Sequence, residues 1–220
     1  MEPTDLAIII PALNEDKTIG NIIQEVIKKG DVIVVDDGSV DRTADIASKM
    51  GAIVVSHKKN LGYDAALNSG FNKACALNYK YILTFDADGQ HSPDVIDKFI
   101  SEIDNGIDIV IGVRDKRARA AEAFFSFLSK KIWNIQDPLC GMKAYKMKVF
   151  ESLGCFDSYN SIGTELCLYG AAKKFTISEF PFNVKERLDK PRLGSIFSCN
   201  VKILKSLIIG VLKYYRWRTL

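Results

Sequence analysis

Two carboxylates one residue apart, Asp86 and Asp88, follow the apolar run Tyr81–Phe85. The run predicts a buried strand, so both carboxylates leave the same strand end and repel each other unless a cation lies between them. Mg²⁺ and Mn²⁺ prefer oxygen ligands, and Mg²⁺ commonly shares its shell between one or two carboxylates and the phosphates of a substrate. The pair therefore predicts a metal–diphosphate site. The alternative is a solvated turn in which Asp88 and Gly89 only reverse the chain.

Strand-like and helix-like segments alternate around this pair. Short β-branched runs predict strands at Leu6–Ile10, Val32–Val35 and Ala52–Ser56, and helical patterns lie between them. This alternation indicates βαβ units in one α/β domain, with a mainly parallel sheet flanked by helices. Ligands of such sheets bind beyond the carboxyl ends of the strands. In this chain four polar clusters lie at those ends: Pro11–Glu15, Asp36–Ser39, His57–Gly62 and Asp86–His91.

Local signals predict where individual elements begin and end. Pro11 is expected to end the first strand, and Asn14 to cap a helix that runs to about Lys29. Pro and Gly indicate a shaped loop rather than a strand at Asp137–Lys143, and an amphipathic helix is predicted within Ser161–Lys174.

Two further residues stand where a ligand is expected. Arg114 comes directly after the predicted strand Ile107–Val113, and this position directs it at the pocket. Gly62 precedes a helix predicted at Ala65–Asn78, where a glycine lets the backbone approach a ligand closely and the helix start favours phosphate. A plain loop followed by a helix cap is the alternative explanation for Gly62.

The composition limits the class of protein. The chain has 220 residues, 47% of them hydrophobic and 26% charged, which is ordinary for one globular domain. A net charge of +3 is too small to indicate nucleic-acid binding. Five cysteines without metal-type spacing indicate reduced thiols in a cytoplasmic protein. No run of about 18 apolar residues predicts a membrane span.

Common nucleotide-binding motifs are missing from the sequence. A P-loop needs Gly-x-x-x-x-Gly-Lys-Ser/Thr, which does not occur. A dinucleotide-binding fold needs Gly-x-Gly-x-x-Gly after the first strand, and Ile-Pro-Ala-Leu-Asn-Glu stands there instead. That place also lacks the Gly-rich loop with Arg and Lys expected of a sugar nucleotidyltransferase.

Six motifs occur in the order found in a known family. They are Ile-Pro-Ala-Leu-Asn-Glu, Val-Asp-Asp-Gly-Ser-x-Asp-x-Thr, Asn-x-Gly, Asp-Ala-Asp-Gly-Gln-His, Asp-Pro-x-x-Gly-Met-Lys and Gly-Thr-Glu. Over about residues 6–195 the chain resembles the family 2 inverting glycosyltransferases with the Rossmann-like GT-A fold, and especially the dolichol- or polyprenyl-phosphate mannose or glucose synthases. It departs from their pattern at Tyr63-Asp64, where a second Gly is frequent, and at Lys190–Ser195, where Gly-x-Ser-Lys is usual.

The resemblance implies transfer of a sugar from a GDP- or UDP-sugar with inversion at the anomeric carbon, and Mg²⁺ or Mn²⁺ as cofactor. The implied acceptor is a lipid phosphate or a cell-envelope glycan or lipid precursor. The motifs imply donor-binding roles for eight positions: Pro11, Asn14, Glu15, Asp37, Gly62, Asp86, Ala87 and Arg187. They imply three metal ligands: Asp86, Asp88 and Gln90.

Four residues are implied to take part in catalysis: Asp88, Arg114, Asp137 and Glu165. Arg114 would contact the charge of the diphosphate. Asp137 and Glu165 are the candidate bases for a hydroxyl acceptor, whereas a phosphate acceptor needs none. Their alternatives are a loop cap and a first-turn helix carboxylate. For the whole chain, the alternative is an inactive sugar-nucleotide-binding protein or a membrane-surface adaptor.

The last segment, 196–220, is predicted to be a basic amphipathic helix distinct from the domain at 1–195. Its basic face is predicted to carry Lys202, Lys205, Ser206, Lys213 and Arg216. Its apolar face is predicted to carry Phe197, Val201, Leu204, Leu207, Ile208, Val211 and Tyr215. Such a helix suits the anionic inner surface of the cell membrane, and the alternative is a terminal helix that docks on its own domain.

Overall fold

Seven strands form one mixed sheet in the computed structural model, which describes residues 5–87, 93–115, 119–183 and 196–219. The strands are β1 (Leu6–Ala12), β2 (Asp31–Asp36), β3 (Ile53–Ser56), β4 (Tyr81–Thr84), β5 (Ile109–Arg114), β6 (Lys143–Lys146) and β7 (Ile177–Phe182). Their order across the sheet is β3-β2-β1-β4-β6-β5-β7, and only β6 runs antiparallel to its neighbours. The predicted α/β class with a mainly parallel sheet is confirmed.

Helices cover both faces of the sheet. They are α1 (Ile19–Val26), α2 (Thr43–Lys49), α3 (Tyr63–Ala76), α4 (Ile96–Asp104), α5 (Ala120–Trp133), α6 (Met147–Leu153), α7 (Glu165–Ala172) and α8 (Ile196–Thr219), with a 3₁₀ turn at Pro93–Val95. Alternate residues of each strand feed two cores: Ile8 and Ile10 pack with α1, α2 and α4, whereas Ile9 packs with α3 and α5–α8. The period of two along β1 therefore separates the two helical layers.

The antiparallel strand β6 brings its first residue to the edge of the sheet where the candidate site lies. Its first residue, Lys143, pairs with Thr84, the last residue of β4. Because β6 runs against its neighbours, its start lies at the same edge as the carboxyl ends of the six other strands. The sequence analysis predicted only a loop before this point and missed both β6 and α6.

Two local predictions around β1 are wrong. Pro11 does not end the strand, which continues to Ala12 with Pro11 paired to Val35. The proline is tolerated because β4 ends at Thr84, opposite Ile9, so no strand residue of β4 lies beside it.

The first helix also begins later than predicted, at Ile19. Asn14 caps no helix: its φ is 52°, its N–H donates to Ser39 Oγ, and its Oδ1 accepts the N–H of Val40. These bonds to the loop after β2 replace the local cap.

The later helices are more buried than their sequences suggested. Nearly every residue of α7 is buried, so it is not amphipathic as predicted. Helix α8 packs on α5 and α7 and buries Ile203, Leu207 and Tyr214 in the shared core. The predicted apolar face of α8 is divided, because Leu207 is buried whereas Val201, Leu204, Ile208 and Tyr215 are exposed. Ser206 of the predicted basic face is buried. Among the described helices, none has the length and apolar character to cross a membrane.

Candidate active site

Asp86 stands just beyond the end of β4, at the edge that the polar clusters were predicted to share. The hydroxyl of Tyr63, at the start of α3, donates to Asp86 Oδ1 over 3.3 Å. Burial, and next the charge of Asp86, raise the pKa of Tyr63 well above 10, so this phenol keeps its proton and stays a donor. Asp88 and Gln90, the other predicted metal ligands, lie outside the described residues.

Gly141 forms the wall behind the Asp86 carboxylate. A Cβ placed on Gly141 would overlap both carboxylate oxygens and the carbon between them. The loop is fixed there because Thr84 Oγ1 donates to Gly141 O over 2.6 Å and accepts the N–H of Lys143 over 3.1 Å. The glycine in the motif Asp-Pro-x-x-Gly-Met-Lys is therefore required by close packing against the first predicted metal ligand.

Replacing Gly141 with Ala is expected to displace the Asp86 carboxylate. We expect turnover to fall by at least about 100-fold, while the free energy of unfolding falls by only about 1–3 kcal/mol, as for other small-to-large changes in packed sites. Gly20→Ala is the matched control, because Gly20 lies in α1 and, among the residues that the structure describes, a Cβ there meets only Ile46 Cγ2, at 3.2 Å. Steady-state kinetics and urea denaturation of both variants make the comparison. Equal activity of the two variants would contradict the packing argument.

Lys143 is a buried cation beside this wall, with 2% of its surface exposed. Its ammonium group donates to the carbonyl oxygens of Cys140 and Gly163, the second over 3.0 Å. It thereby connects the loop before β6 to the loop before α7. The motif Asp-Pro-x-x-Gly-Met-Lys marks Lys143 only as its last residue, and no local signal in β6, whose sequence is Lys-Ala-Tyr-Lys, sets Lys143 apart from Lys146.

Asp64 was seen only as a departure from a family pattern, yet it holds one wall of the site. From the first turn of α3 its carboxylate accepts the N–H groups of Ile162, over 3.1 Å, and Gly163, over 2.6 Å. Both of these residues have positive φ, so the loop needs this anchor. Burial, followed by the nearby charge of Asp157, raises the pKa of Asp64 to about 6.

This raised pKa predicts a pH dependence of stability. Between the ordinary value of 3.8 and about 6, the folded chain holds a proton on Asp64 that the unfolded chain has lost. The free energy of unfolding should therefore fall as pH rises through this window, by at most about 3 kcal/mol from this group, and level off above it. Asp64→Asn should remove that part of the slope, and the exposed Asp45→Asn should not. Urea denaturation between pH 4 and pH 7 tests this, and identical slopes in wild type and Asp64→Asn would refute it.

Arg114 and Asp137 lie together and form a two-pronged ion pair. Arg114 Nε donates to Asp137 Oδ2 over 2.8 Å, and its NH2 group donates to Oδ1 over 2.9 Å. Asp137 has no exposed surface, whereas a fifth of the Arg114 side chain is exposed. Burial lowers the pKa of Arg114, but the bonds and charge of Asp137 outweigh it and raise the pKa overall. Arg114 is the last residue of β5 rather than a residue beyond it.

Glu165 is buried at the start of α7 and faces α8. Its carboxylate accepts bonds from the backbone N–H and the hydroxyl of Ser158, and Lys213 Nζ lies 2.6 Å from its Oε1. The structure thus brings Glu165 against the C-terminal helix. Its predicted role as a base stays a prediction, and these contacts show an anchoring role as well.

Asp37 shapes the loop in which Gly62 lies. Its carboxylate accepts the N–H groups of Leu61, over 2.9 Å, and Gly62, over 2.8 Å, and contacts His57 Nδ1 at 2.7 Å. The other ring nitrogen of His57 contacts Ser69 Oγ at 2.8 Å. Sequence reasoning did not predict this Asp–His–Ser chain, which fixes the loop from α3.

The remaining donor-binding predictions lie at the same edge. Gly62 has φ +97°, and a Cβ there would meet no atom of the described residues within 4 Å. Glu15 is buried, and its N–H donates to Thr43 Oγ1 over 2.8 Å. Pro11 and Asn14 occupy the end of β1 and the following loop, and Ala87 is buried beside Asp86. Arg187 lies outside the described residues.

The donor set around Asp86 is compatible with a hard divalent cation, because a carboxylate oxygen is the ligand such a cation prefers. Within the described part of the chain, no three His, Cys, Asp or Glu residues group as metal ligands. A complete shell would therefore draw on Asp86 together with the undescribed Asp88 and Gln90 and with oxygens of the ligand.

Comparison with known proteins shows the family of this chain. The model of the family described as Glycosyl transferase family 2 matches residues 7–154. An uncharacterized protein of Methanocaldococcus jannaschii is 44% identical over 115 residues, 50% of this chain and 46% of that relative, so this chain spans about half of its length. A dolichyl-phosphate hexose transferase of Haloferax volcanii is 27% identical over 218 residues, 93% of this chain and 92% of that protein.

A solved structure shows the same fold. Glucosyl-3-phosphoglycerate synthase from Mycobacterium tuberculosis, crystallised with Mn²⁺, UDP and glucosyl-3-phosphoglycerate, superposes with a TM-score of 0.75 at 20% identity, covering 97% of this chain and 80% of that one. The chain therefore belongs to glycosyl transferase family 2 and has the GT-A fold.

Proposed function

We propose that this chain is a metal-dependent inverting hexosyltransferase that moves a sugar from a UDP- or GDP-sugar to a polyprenyl phosphate at the cytoplasmic face of a membrane. Family membership supports sugar transfer. The relative named as a dolichyl-phosphate hexose transferase supports a lipid-phosphate acceptor, and the structural neighbour bound to Mn²⁺ and UDP supports the metal and a UDP-sugar. A cell-envelope glycan or another lipid precursor is the second candidate acceptor.

The observation that carries the acceptor proposal is that both predicted bases are paired with cations. Asp137 is held by Arg114, and Glu165 by Lys213. Both carboxylates are buried, and their oxygens already accept bonds from these neighbouring groups, so they are badly placed to contact the hydroxyl of an acceptor, as a general base must. A hydroxyl acceptor needs a base, whereas a phosphate is already an anion and attacks without one. The arrangement therefore favours a phosphate acceptor.

Charge explains how the remaining residues act. Departure of the nucleoside diphosphate concentrates negative charge at the sheet edge, and a divalent cation held by Asp86, Asp88 and Gln90 would supply neutralising charge there. Tyr63 and Gly141 orient Asp86, and Asp37 fixes the loop that borders the nucleotide. The partly exposed side chain of Arg114 adds positive charge while Asp137 holds it in place.

Turnover with two matched acceptors tests the proposal. Purified protein is supplied with UDP- or GDP-hexoses and Mn²⁺, and with either a polyprenyl phosphate or the same polyprenol without its phosphate. Product is expected only with the phosphate, and EDTA should abolish it. An inactive sugar-nucleotide-binding protein or an adaptor would give no product under any condition. Equal activity with EDTA would refute metal dependence, and a preference for the free polyprenol would refute the phosphate acceptor.

A further inference from the structure

Helix α8 exposes a continuous apolar strip on the side that faces away from the domain. Five side chains form this strip, which we call the outer ridge, with between 40% and 67% of their surfaces exposed: Val201, Leu204, Ile208, Leu212 and Tyr215. At 100° per residue they fall within an arc of about 80°, so they line one side of the helix. The opposite side, with Ile203, Leu207 and Tyr214, is buried in the core.

Positive charge borders the outer ridge. Lys202, Lys205 and Arg216 are exposed. Viewed down the helix axis, they lie directly beside one edge of the outer ridge. Helix α8 contains no Asp or Glu to balance them. Lys213 is the cation turned inward, where it pairs with Glu165. The outward side of α8 is therefore apolar along one strip and cationic along its flank.

The charges on α8 favour one of the two surfaces that could cover the outer ridge, which are a second copy of this chain and a lipid bilayer. In a symmetric dimer of this chain, the two flanks would bring like charges together, which opposes association. The surface of an anionic bilayer offers what the helix lacks, because its headgroups pair with Lys and Arg while apolar side chains enter the acyl boundary. We propose that α8 binds an anionic lipid bilayer through the outer ridge, lying parallel to the membrane plane.

The inner side of α8 connects this surface to the site. Ser206 Oγ donates to the carbonyl of Ser161 over 2.8 Å, and Lys213 pairs with Glu165. Between those two contacts lies the loop whose Gly163 bonds to Asp64 and Lys143. A bilayer on the outer side of α8 is therefore about one helix diameter, 10 Å or so, from a wall of the candidate active site. This extends the proposed function by placing a membrane-held acceptor next to that wall.

Vesicle flotation of the full chain, without substrates, tests the proposal. Neutral phosphatidylcholine vesicles are compared with vesicles containing phosphatidylglycerol, at low and high salt. Wild type should float with the anionic vesicles at low salt and lose most binding at high salt. The variant Lys202→Gln/Lys205→Gln/Arg216→Gln should partition about 100-fold more weakly, since each cation near an anionic surface contributes roughly fivefold. The control Lys28→Gln/Lys49→Gln/Lys173→Gln removes three exposed charges elsewhere and should lose far less.

The ridge is tested separately by Leu204→Ser/Ile208→Ser/Leu212→Ser, with Ile27→Ser/Val40→Ser/Leu77→Ser as the control for exposed apolar residues elsewhere. The ridge variant should lose flotation and keep its thermal midpoint, because these side chains are exposed in the folded chain. If the ridge variant unfolds, flotation of the charge variant alone tests the proposal. Wild-type chain that ignores anionic vesicles, or that forms a lipid-free dimer which only the ridge variant breaks, would overturn the proposal. Turnover with a detergent-dispersed acceptor does not require binding to a bilayer. That assay therefore tests the proposed function independently of the flotation result.

Discussion

Asp86→Asn is expected to reduce turnover by at least about 1,000-fold while the chain stays folded. The asparagine keeps the shape and one oxygen of the side chain but loses the charge that a divalent cation needs from this position. Its amide can still accept the Tyr63 hydroxyl, which lies 3.3 Å from Oδ1. The loss should therefore fall on the chemical step and on metal affinity rather than on folding.

The measurement is steady-state kinetics over a Mn²⁺ titration, with thermal unfolding as the test of folding. Asp45→Asn, an exposed change of the same chemistry in α2, is the matched control and should leave kcat within a factor of two or so. If Asp86→Asn retained wild-type turnover at saturating Mn²⁺, the site would not depend on this carboxylate and the predicted metal position would be wrong.

Arg114→Ala is expected to lower the free energy of unfolding by about 3–5 kcal/mol, because it leaves the Asp137 carboxylate buried without its cation. Asp137 has no exposed surface, and the substitution removes both bonds that it accepts from the Arg114 side chain. Asp137→Ala should cost less, since Arg114 is partly exposed and Glu122 lies 3.5 Å from its NH1 group.

A double-mutant cycle measures the interaction free energy between Arg114 and Asp137 apart from their contacts with other residues. The variant Arg114→Ala/Asp137→Ala should be more stable than the sum of the two single losses implies, with a coupling free energy of about 2 kcal/mol or more. Lys29→Ala/Asp97→Ala is the matched control, because that exposed pair at 2.7 Å should show a coupling of less than about 1 kcal/mol. Urea denaturation supplies all the free energies. Additive losses at Arg114 and Asp137 would show that the two side chains do not stabilise each other.

The sequence by itself determined the α/β class, the strand ends that carry the site, and the family. Those conclusions depend on local patterns: β-branched runs, helical periodicity and polar clusters directly after apolar runs, such as Asp86 after β4. Each signal lies within a few residues of the position it describes. The structure therefore confirmed the fold class and placed those predicted donor-binding residues that it describes at one edge of the sheet.

Only the tertiary structure determined how those residues are held. Asp64 contacts Gly163 across 99 positions of sequence, and Thr84 contacts Gly141 across 57. Neither contact leaves a local pattern, and Thr84 meets Gly141 only because β6 lies antiparallel beside β4.

The same reason explains why the sequence did not show which side of helix α8 docks on the domain. Periodicity in α8 shows where apolar residues lie around the helix, but α5 and α7 decide which of them are buried. Apolar residues surround much of α8, so two different faces could have docked. Small Gly210 and Ser206, which fit closely against the domain, belong to the face that does, and they leave Leu204, Ile208 and Leu212 exposed. Shape complementarity between distant elements made that choice, and shape is a property of the folded chain rather than of its local sequence.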